Sequence, residues 1–185
     1  MKRIVGLFLA FLLLAGCTGK SDQLDRAMAL RAKLLAHDVS FRVTITADYG
    51  NISHKFVLDC TGSTKGELRF TVAEPESISG IAGSISSAGG KLTFDDQVLS
   101  FPLLADDQLA PICGPWVLMK ALRSGYLTSC SQEGEHLRLA IDDSYEDDAL
   151  HLDIWIDANG VPIRGEILYE GRRILTMDVG NFTYL

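Results

Sequence analysis

The stretch CGPWVLMKALRSG, residues 113–125, decides the fold. Gly114-Pro115 is typical of a helix start, and Gly125 is typical of a helix end. The side chains between them are apolar on nearly every side of a helix: Trp116, Val117, Leu118, Met119, Ala121 and Leu122. A short helix that is apolar all round cannot lie on a protein surface. We therefore expect this helix to fill a concave space in the rest of the domain.

Alternating apolar residues on both sides of this helix predict β-strands, each with one face turned to solvent. The predicted strands cover residues 41–48, 52–60, 68–72, 91–94, 98–101, 126–132, 137–141, 150–156, 163–170 and 173–179. The connections between them are short, with turns such as Gly50-Asn51, and short connections favour an antiparallel sheet. An amphipathic helix is predicted from Ser21 to His37. The predicted fold class is α+β: a curved antiparallel sheet, or unclosed half-barrel, with an N-terminal amphipathic helix and a short apolar plug helix.

The first residues predict export and lipid attachment. Lys2 and Arg3 precede an apolar run from Ile4 to Leu14, which has the length of a signal-peptide core and is too short to span a bilayer. The run ends in Leu14-Ala15-Gly16-Cys17, which resembles the lipobox of bacterial lipoproteins. We therefore expect residues 1–16 to be a signal peptide, Cys17 to carry the lipid (palmitate or a similar acyl group), residues 17–20 to be a tether, and residues 21–185 to form one domain.

The charge balance excludes some classes of partner. Without Lys2 and Arg3 the chain has 15 basic and 24 acidic residues, a formal charge of −9. Nucleic-acid binding requires clustered basic residues, so no nucleic-acid partner is expected. The lipid on Cys17 is expected to hold the protein at the extracytoplasmic face of a cell membrane, and the sequence does not say whether that membrane is the inner or the outer one.

Three cysteines remain after Cys17. An exported protein can form disulfides, and Cys113 and Cys130 flank the plug helix, so these two are the candidate pair, with Cys60 left over. The alternative is that all three thiols are reduced and buried.

Catalytic and metal-binding patterns are not found in the sequence. The four histidines are dispersed, and the Gly-rich stretch at residues 77–90 lacks the phosphate-loop spacing. The acidic run at residues 142–148 lacks the spacing of a Ca²⁺ loop and is read as a solvated hairpin loop. No enzyme activity, cofactor or metal is expected.

The order of elements, together with the strings FTVAEPESISGI, GGKLTFDD and FPLLADDQLAPICGPWVLMKAL, resembles the LolA/LolB-like lipoprotein-carrier fold. In that fold an unclosed β-barrel is covered by helices and encloses an apolar cavity for acyl chains. The resemblance implies a membrane-anchored protein that binds a lipid or another hydrophobic group and handles lipoproteins or other envelope components. The alternative is an interaction or structural lipoprotein, such as a sporulation or germination lipoprotein, that acts through an envelope protein partner.

Candidate ligand-binding residues are the inward-facing strand positions and two residues of the plug helix. They are Phe41, Phe56, Phe70, Leu139, Leu152 and Ile154 on the strands, and Trp116 and Met119 on the helix. An open apolar cavity would favour the carrier function, whereas a core filled by Trp116 and Met119 would favour the interaction lipoprotein.

Overall fold

A computed structural model of the chain describes residues 18–48, 53–95, 97–105, 108–146 and 149–185. The predicted signal peptide, Cys17 and the Gly50-Asn51 turn lie outside these residues. Within the described residues the α-helices are α1 (Thr18–Ala36) and α2 (Gly114–Ser124). The strands are β1 (Val39–Asp48), β2 (Ser53–Gly62), β3 (Leu68–Glu74), β4 (Ala82–Ser86), β5 (Gly89–Phe94), β6 (Gln97–Phe101), β7 (Leu104–Ala105), β8 (Gln108–Leu109), β9 (Tyr126–Glu133), β10 (His136–Asp142), β11 (His151–Ile156), β12 (Pro162–Tyr169) and β13 (Arg172–Tyr184).

Eleven strands form one antiparallel sheet in the order β6-β5-β4-β3-β2-β1-β13-β12-β11-β10-β9, and β7 pairs only with β8. The sheet consists of two meanders joined at its centre, where β1 pairs with β13 and Val43 lies opposite Val179. The edges are therefore β6 and β9. The chain passes from one edge to the other through the segment that contains α2.

The sheet curls around α2. Eight of the eleven residues of α2 are buried, and the helix contacts β2, β13 and β10. In the sheet, β2 and β10 are five strand spacings apart, about 24 Å if the sheet were flat. One short helix touches both because a large twisted sheet curves. The predicted fold class, an open half-barrel with an apolar plug helix, is confirmed.

The core lies between the concave face of the sheet and the two helices. Buried side chains alternate along β1, and α1 contributes Ala27, Leu30 and Leu34. The Gly-rich stretch contains β4, where a Cβ at Gly83 would lie 2.5 Å from the Phe70 ring, so this strand approaches β3 closely. No helix in the described ranges is both long enough and apolar enough to cross a membrane.

The predicted tether needs a correction. Residues 18–20 are helical and belong to α1, so they are not an extended segment. The predicted start at Ser21 was chosen because Ser and Asp are good capping residues. The helix nevertheless continues one turn further towards the N-terminus.

Candidate functional site

Helix α2 is fixed on the concave face by close packing against β12. An ideal Cβ placed on Gly165 of β12 would lie 2.9 Å from Cδ1 of Leu118, closer than carbon atoms normally approach. Leu118 itself is 1% exposed. Glycine at position 165 therefore provides the space in which the plug helix rests on the sheet.

Two arginines fasten α1 and α2 to each other. Arg31 of α1 donates to the carbonyl oxygens of Leu122 (2.9 Å) and Gly125 (2.8 Å) at the C-terminal end of α2. Arg123 of α2 donates in return to the carbonyl oxygen of Leu34 (3.1 Å) in α1. The last carbonyls of a helix have no partner within the helix and carry partial negative charge, which makes a guanidinium a suitable partner.

Arg123 also fixes the turn between β2 and β3. It donates to the carbonyl oxygens of Gly62 and Ser63. Burial lowers the pKa of the Arg123 guanidinium. The same turn carries Gly66, whose carbonyl accepts a hydrogen bond from Nε1 of Trp116 at 2.9 Å. The plug helix is thus attached at one side to α1 and at the other to this turn.

A cavity of about 1520 Å³ remains beside α2, open to solvent. It extends along the strands, because its lining comes from turns at one end of the sheet, such as Thr64 and Ser87, and from loops at the other, such as Asp143 and Glu170. Its apolar lining residues are Leu35, Leu68, Leu103, Leu109, Trp116, Val117, Met119, Leu150, Ile174 and Leu175. Sites for drug-sized ligands occupy about 300–1000 Å³, so this cavity has room for a longer molecule.

Charged groups of both signs line the rest of the cavity. The basic residues are Lys65, Lys120, Arg123 and Arg172, and the acidic residues are Asp48, Glu67, Asp143, Glu146 and Glu170. Lys120 lies 3.6 Å from the Asp143 carboxylate and 5.7 Å from the centre of the Trp116 ring. The cavity therefore combines an apolar floor with polar groups, the pattern of a site for an amphiphilic molecule.

Two of the eight candidate ligand-binding residues line this cavity, namely Trp116 and Met119. The other six do face inward, but they do not line it. Five of them are at most 3% exposed in the packed core, and Phe56 is half-buried: Phe41, Phe56, Phe70, Leu139, Leu152 and Ile154. These strand residues belong to the same buried core as the apolar side chains of α2. The predicted ligand set therefore stays a prediction for these six residues, and the open space lies to the side of α2.

Several of the remaining apolar lining residues lie in connections, where no periodicity singles them out. Leu35 lies near the end of α1, is 57% exposed and borders the cavity. Leu103 and Leu109 come from the irregular segment before α2, and Leu150 comes from the loop between β10 and β11. Alternation predicts which strand residues face inward, whereas these residues are placed by connections.

The predicted disulfide between Cys113 and Cys130 is not formed, and all three described cysteines are free thiols. Cys113 is fully buried in a 3-10 turn that contacts β1 at the centre of the sheet, whereas Cys130 lies on the edge strand β9. A disulfide requires the two Cα atoms to be within about 7 Å. Burial raises the pKa of the Cys113 thiol to about 12, and burial also raises the pKa of the Cys60 thiol.

The acidic run forms the loop between β10 and β11, as predicted, with Asp147 and Asp148 outside the described residues. In this loop Asp143 accepts a hydrogen bond from the backbone amide of Leu150 at 2.8 Å. Over the described ranges, no group of three His, Cys, Asp or Glu side chains is arranged to hold a metal ion.

No protein-family model and no curated protein matches the chain. Among solved structures it is similar to an uncharacterized conserved protein from Thermus thermophilus, with 13% identity, a TM-score of 0.49, and 88% of this chain and 87% of that chain covered. It is also similar to a LolA superfamily protein from Nitrosomonas europaea, with 11% identity, a TM-score of 0.43, and 85% of this chain and 92% of that chain covered. A further similar structure is LprF from Mycobacterium bovis, with 10% identity, a TM-score of 0.44, and 88% of this chain and 93% of that chain covered.

Proposed function

We propose that this protein is a lipid-anchored envelope lipoprotein that holds the acyl chain of an amphiphile in the cavity beside α2. The observation that carries the proposal is the cavity itself: about 1520 Å³, with an apolar floor formed by α2 and the adjoining connections. Binding without catalysis is part of the proposal.

The hydrophobic effect provides enough free energy for such a ligand. Removing a methylene group from water contributes about 0.8 kcal/mol, so a chain of about a dozen methylenes contributes about 10 kcal/mol. Part of this is offset by the loss of translational and rotational freedom and by the ordering of the chain. The charged residues at the cavity would meet the polar end of the ligand. Because both signs are present there, the proposal does not require a ligand of one charge.

Membrane attachment is proposed to come from acylation of Cys17 on the extracytoplasmic side. Mass spectrometry of the mature N-terminal peptide, Cys17 to Lys20, tests this directly. A peptide that begins at Cys17 and carries acyl groups is expected. A mature N-terminus at any other residue would refute the anchor.

The binding function is tested by filling the cavity without disturbing the core. Leu150 lines the cavity and is half-buried, so Leu150→Trp adds volume where the ligand would lie. Leu168 on β12 is also half-buried but does not line the cavity, and Leu168→Trp is the matched control. A fluorescent fatty acid should bind the wild type and Leu168→Trp alike, and Leu150→Trp at least about tenfold more weakly, a loss of about 1.4 kcal/mol. No binding by the wild type at micromolar concentrations would refute the proposal.

A second function, binding of an envelope protein partner, is favoured by the edge strand β6. This strand has no charged residue or proline, and its Val98 and Leu99 side chains are each 64% exposed. Phe94, the last residue of the neighbouring strand β5, is 62% exposed. Charged residues and proline are the usual protection of an edge against pairing with another chain. Val98→Lys should abolish crosslinking of a partner at β6 if this function is correct, and should leave fatty-acid binding unchanged.

A further inference from the structure

Helix α1 carries an exposed apolar stripe that the core does not use. Leu24, Met28 and Leu35 are 47%, 48% and 57% exposed, and their spacing of four and seven residues places them on one face of the helix. The buried positions Ala27, Leu30 and Leu34 lie on the adjacent face. A surface helix normally turns apolar residues only towards the core, so a second apolar face indicates a second contact.

The other side of α1 already has neighbours. Lys33 lies 5.9 Å from the centre of the Tyr184 ring, and Arg26 approaches the carbonyl oxygen of Asp157 at 3.4 Å. The stripe is therefore on the outward flank, next to the C-terminal end of α2. Arg31 lies in line with the stripe, and its guanidinium is directed at the carbonyls of Leu122 and Gly125.

Two tyrosines extend the apolar surface. Tyr126 follows Gly125, whose carbonyl is bound by Arg31, and its ring contacts that of Tyr145. Tyr145 is 82% exposed. Tyrosine is enriched where a protein meets the headgroup region of a bilayer, because its ring is apolar and its hydroxyl is polar. We call the surface formed by Leu24, Met28, Leu35, Tyr126 and Tyr145 the docking face.

We infer that the docking face lies on the bilayer that holds the protein's own lipid anchor, with the cavity opening towards the membrane at Leu35. This inference rests on the proposed anchor at Cys17 and on the proposed cavity function. The described part of helix α1 begins at Thr18, which follows Cys17 in the sequence, so a lipid on Cys17 would hold this end of the helix near the bilayer surface. Leu35, at the other end of the stripe, borders the cavity. The stripe thus leads from the anchor to the opening.

The net charge of the protein indicates which kind of lipid the docking face contacts. A domain with a formal charge of −9 is repelled by anionic lipid, so a zwitterionic phospholipid surface is the better partner. In a protein without a lipid anchor, three half-exposed apolar side chains would bind a bilayer only weakly. The anchor, however, keeps the docking face at a high effective concentration near the lipid, and weak contacts then suffice.

Quenching of a fluorescent label tests the inference in the lipidated mature protein, reconstituted in phosphatidylcholine vesicles. Met28→Cys and Ala29→Cys, each in a Cys130→Ser background, are labelled with an environment-sensitive thiol probe. Both positions are exposed, but only position 28 is on the docking face. The label at position 28 should emit at shorter wavelength and be quenched less by aqueous iodide than the label at position 29.

Two results would overturn the inference. One is equal quenching at positions 28 and 29. The other is protection of position 28 that disappears when the protein is diluted in excess lipid, because a second copy of the chain would then cover the stripe.

A transfer assay separates this inference from the cavity function. The double variant Leu24→Gln, Met28→Gln changes two residues that do not line the cavity, so it should bind the fluorescent fatty acid as the wild type does. It should release the fatty acid to vesicles more slowly than the wild type and than the matched variant Ala29→Gln, Ala32→Gln. An unchanged transfer rate would count against docking. Failure of the wild type to bind the fatty acid would refute the cavity function and leave the quenching result to decide docking.

Discussion

Replacement of Gly165 by alanine tests whether α2 packs on β12 as described. The new Cβ would lie 2.9 Å from Cδ1 of Leu118 and 3.4 Å from Cε of Met177. Both neighbours are almost fully buried, at 1% and 0% exposure, and have little room to move. Overpacking of a core typically costs about 1–3 kcal/mol. Leu118→Ala alone should cost about 3–5 kcal/mol, because it removes a buried isobutyl group and leaves a cavity.

The double variant gives the decisive value. Once Leu118 is alanine, the methyl group at position 165 no longer meets Cδ1 and occupies part of the vacated space. Gly165→Ala should then cost little or stabilise. The double variant should therefore be more stable than the sum of the two single effects implies, by about 1 kcal/mol or more.

Urea unfolding followed by tryptophan fluorescence provides the assay, on a chain that begins at Thr18. The slope of free energy against denaturant should be the same for all variants. Leu34→Ala, another fully buried leucine but on α1, is combined with Gly165→Ala as the control, and these two effects should add. An interaction energy below about 0.5 kcal/mol for the Leu118 pair would show that α2 does not rest on Gly165.

Three further predictions concern the arginine contact between α1 and α2, the stability in acid, and the cysteine thiols. Arg31→Met should lower the free energy of unfolding by about 1.5–3 kcal/mol in the same urea assay, because carbonyls at the end of α2 lose a charged donor; an unchanged midpoint would contradict this. The hydrogen bond from the backbone amide of Thr64 lowers the pKa of Asp38, so at acid pH the folded state binds fewer protons than the unfolded state. The stability that this carboxylate contributes is therefore fully present above about pH 4 and is lost as the pH falls through the pKa of the folded state. Asp38→Asn should therefore flatten the loss of stability below pH 4, and an unchanged slope in acid-titration experiments would refute the role of this carboxylate. Without reductant, the unfolded chain from Thr18 should react at three thiols, and a single reactive thiol would restore the disulfide.

Much of the fold could be predicted because alternation and helical periodicity directly report which face is buried. Phe41 and Cys60 lie opposite each other on β1 and β2, and both face inward as the alternation requires. The plug helix could be predicted because a segment that is apolar all round has only one stable location. The pairing of β1 with β13 could not be predicted, because it joins strands from opposite ends of the domain and no turn sequence specifies it.

The candidate site was harder to predict from the sequence than the fold was, because the site is the space that the packed helices and strands leave open. Inward direction alone cannot distinguish a residue that is buried in the packed core, such as Leu152, from one that lines a cavity, such as Leu175. The distinction depends on where α2 lies laterally, which Gly165 and the two arginines determine. Long-range contacts of this kind carry no periodic signal.

A filled core and an open cavity were alternatives at the level of sequence, yet the molecule contains both. Trp116 and Met119 are 8% and 2% exposed, so they fill the core, and they also line the cavity. Helix α2 therefore acts as a partition between a packed half of the barrel and an open one. A ligand in the open half would contact the same helix that stabilises the fold. Binding of an acyl chain should accordingly raise the free energy of unfolding, by about 2.7 kcal/mol at a free ligand concentration a hundredfold above Kd. Thermal unfolding with and without the fluorescent fatty acid measures this directly, and an unchanged Tm for the wild type would show that the probe does not bind the native state in preference to the unfolded chain.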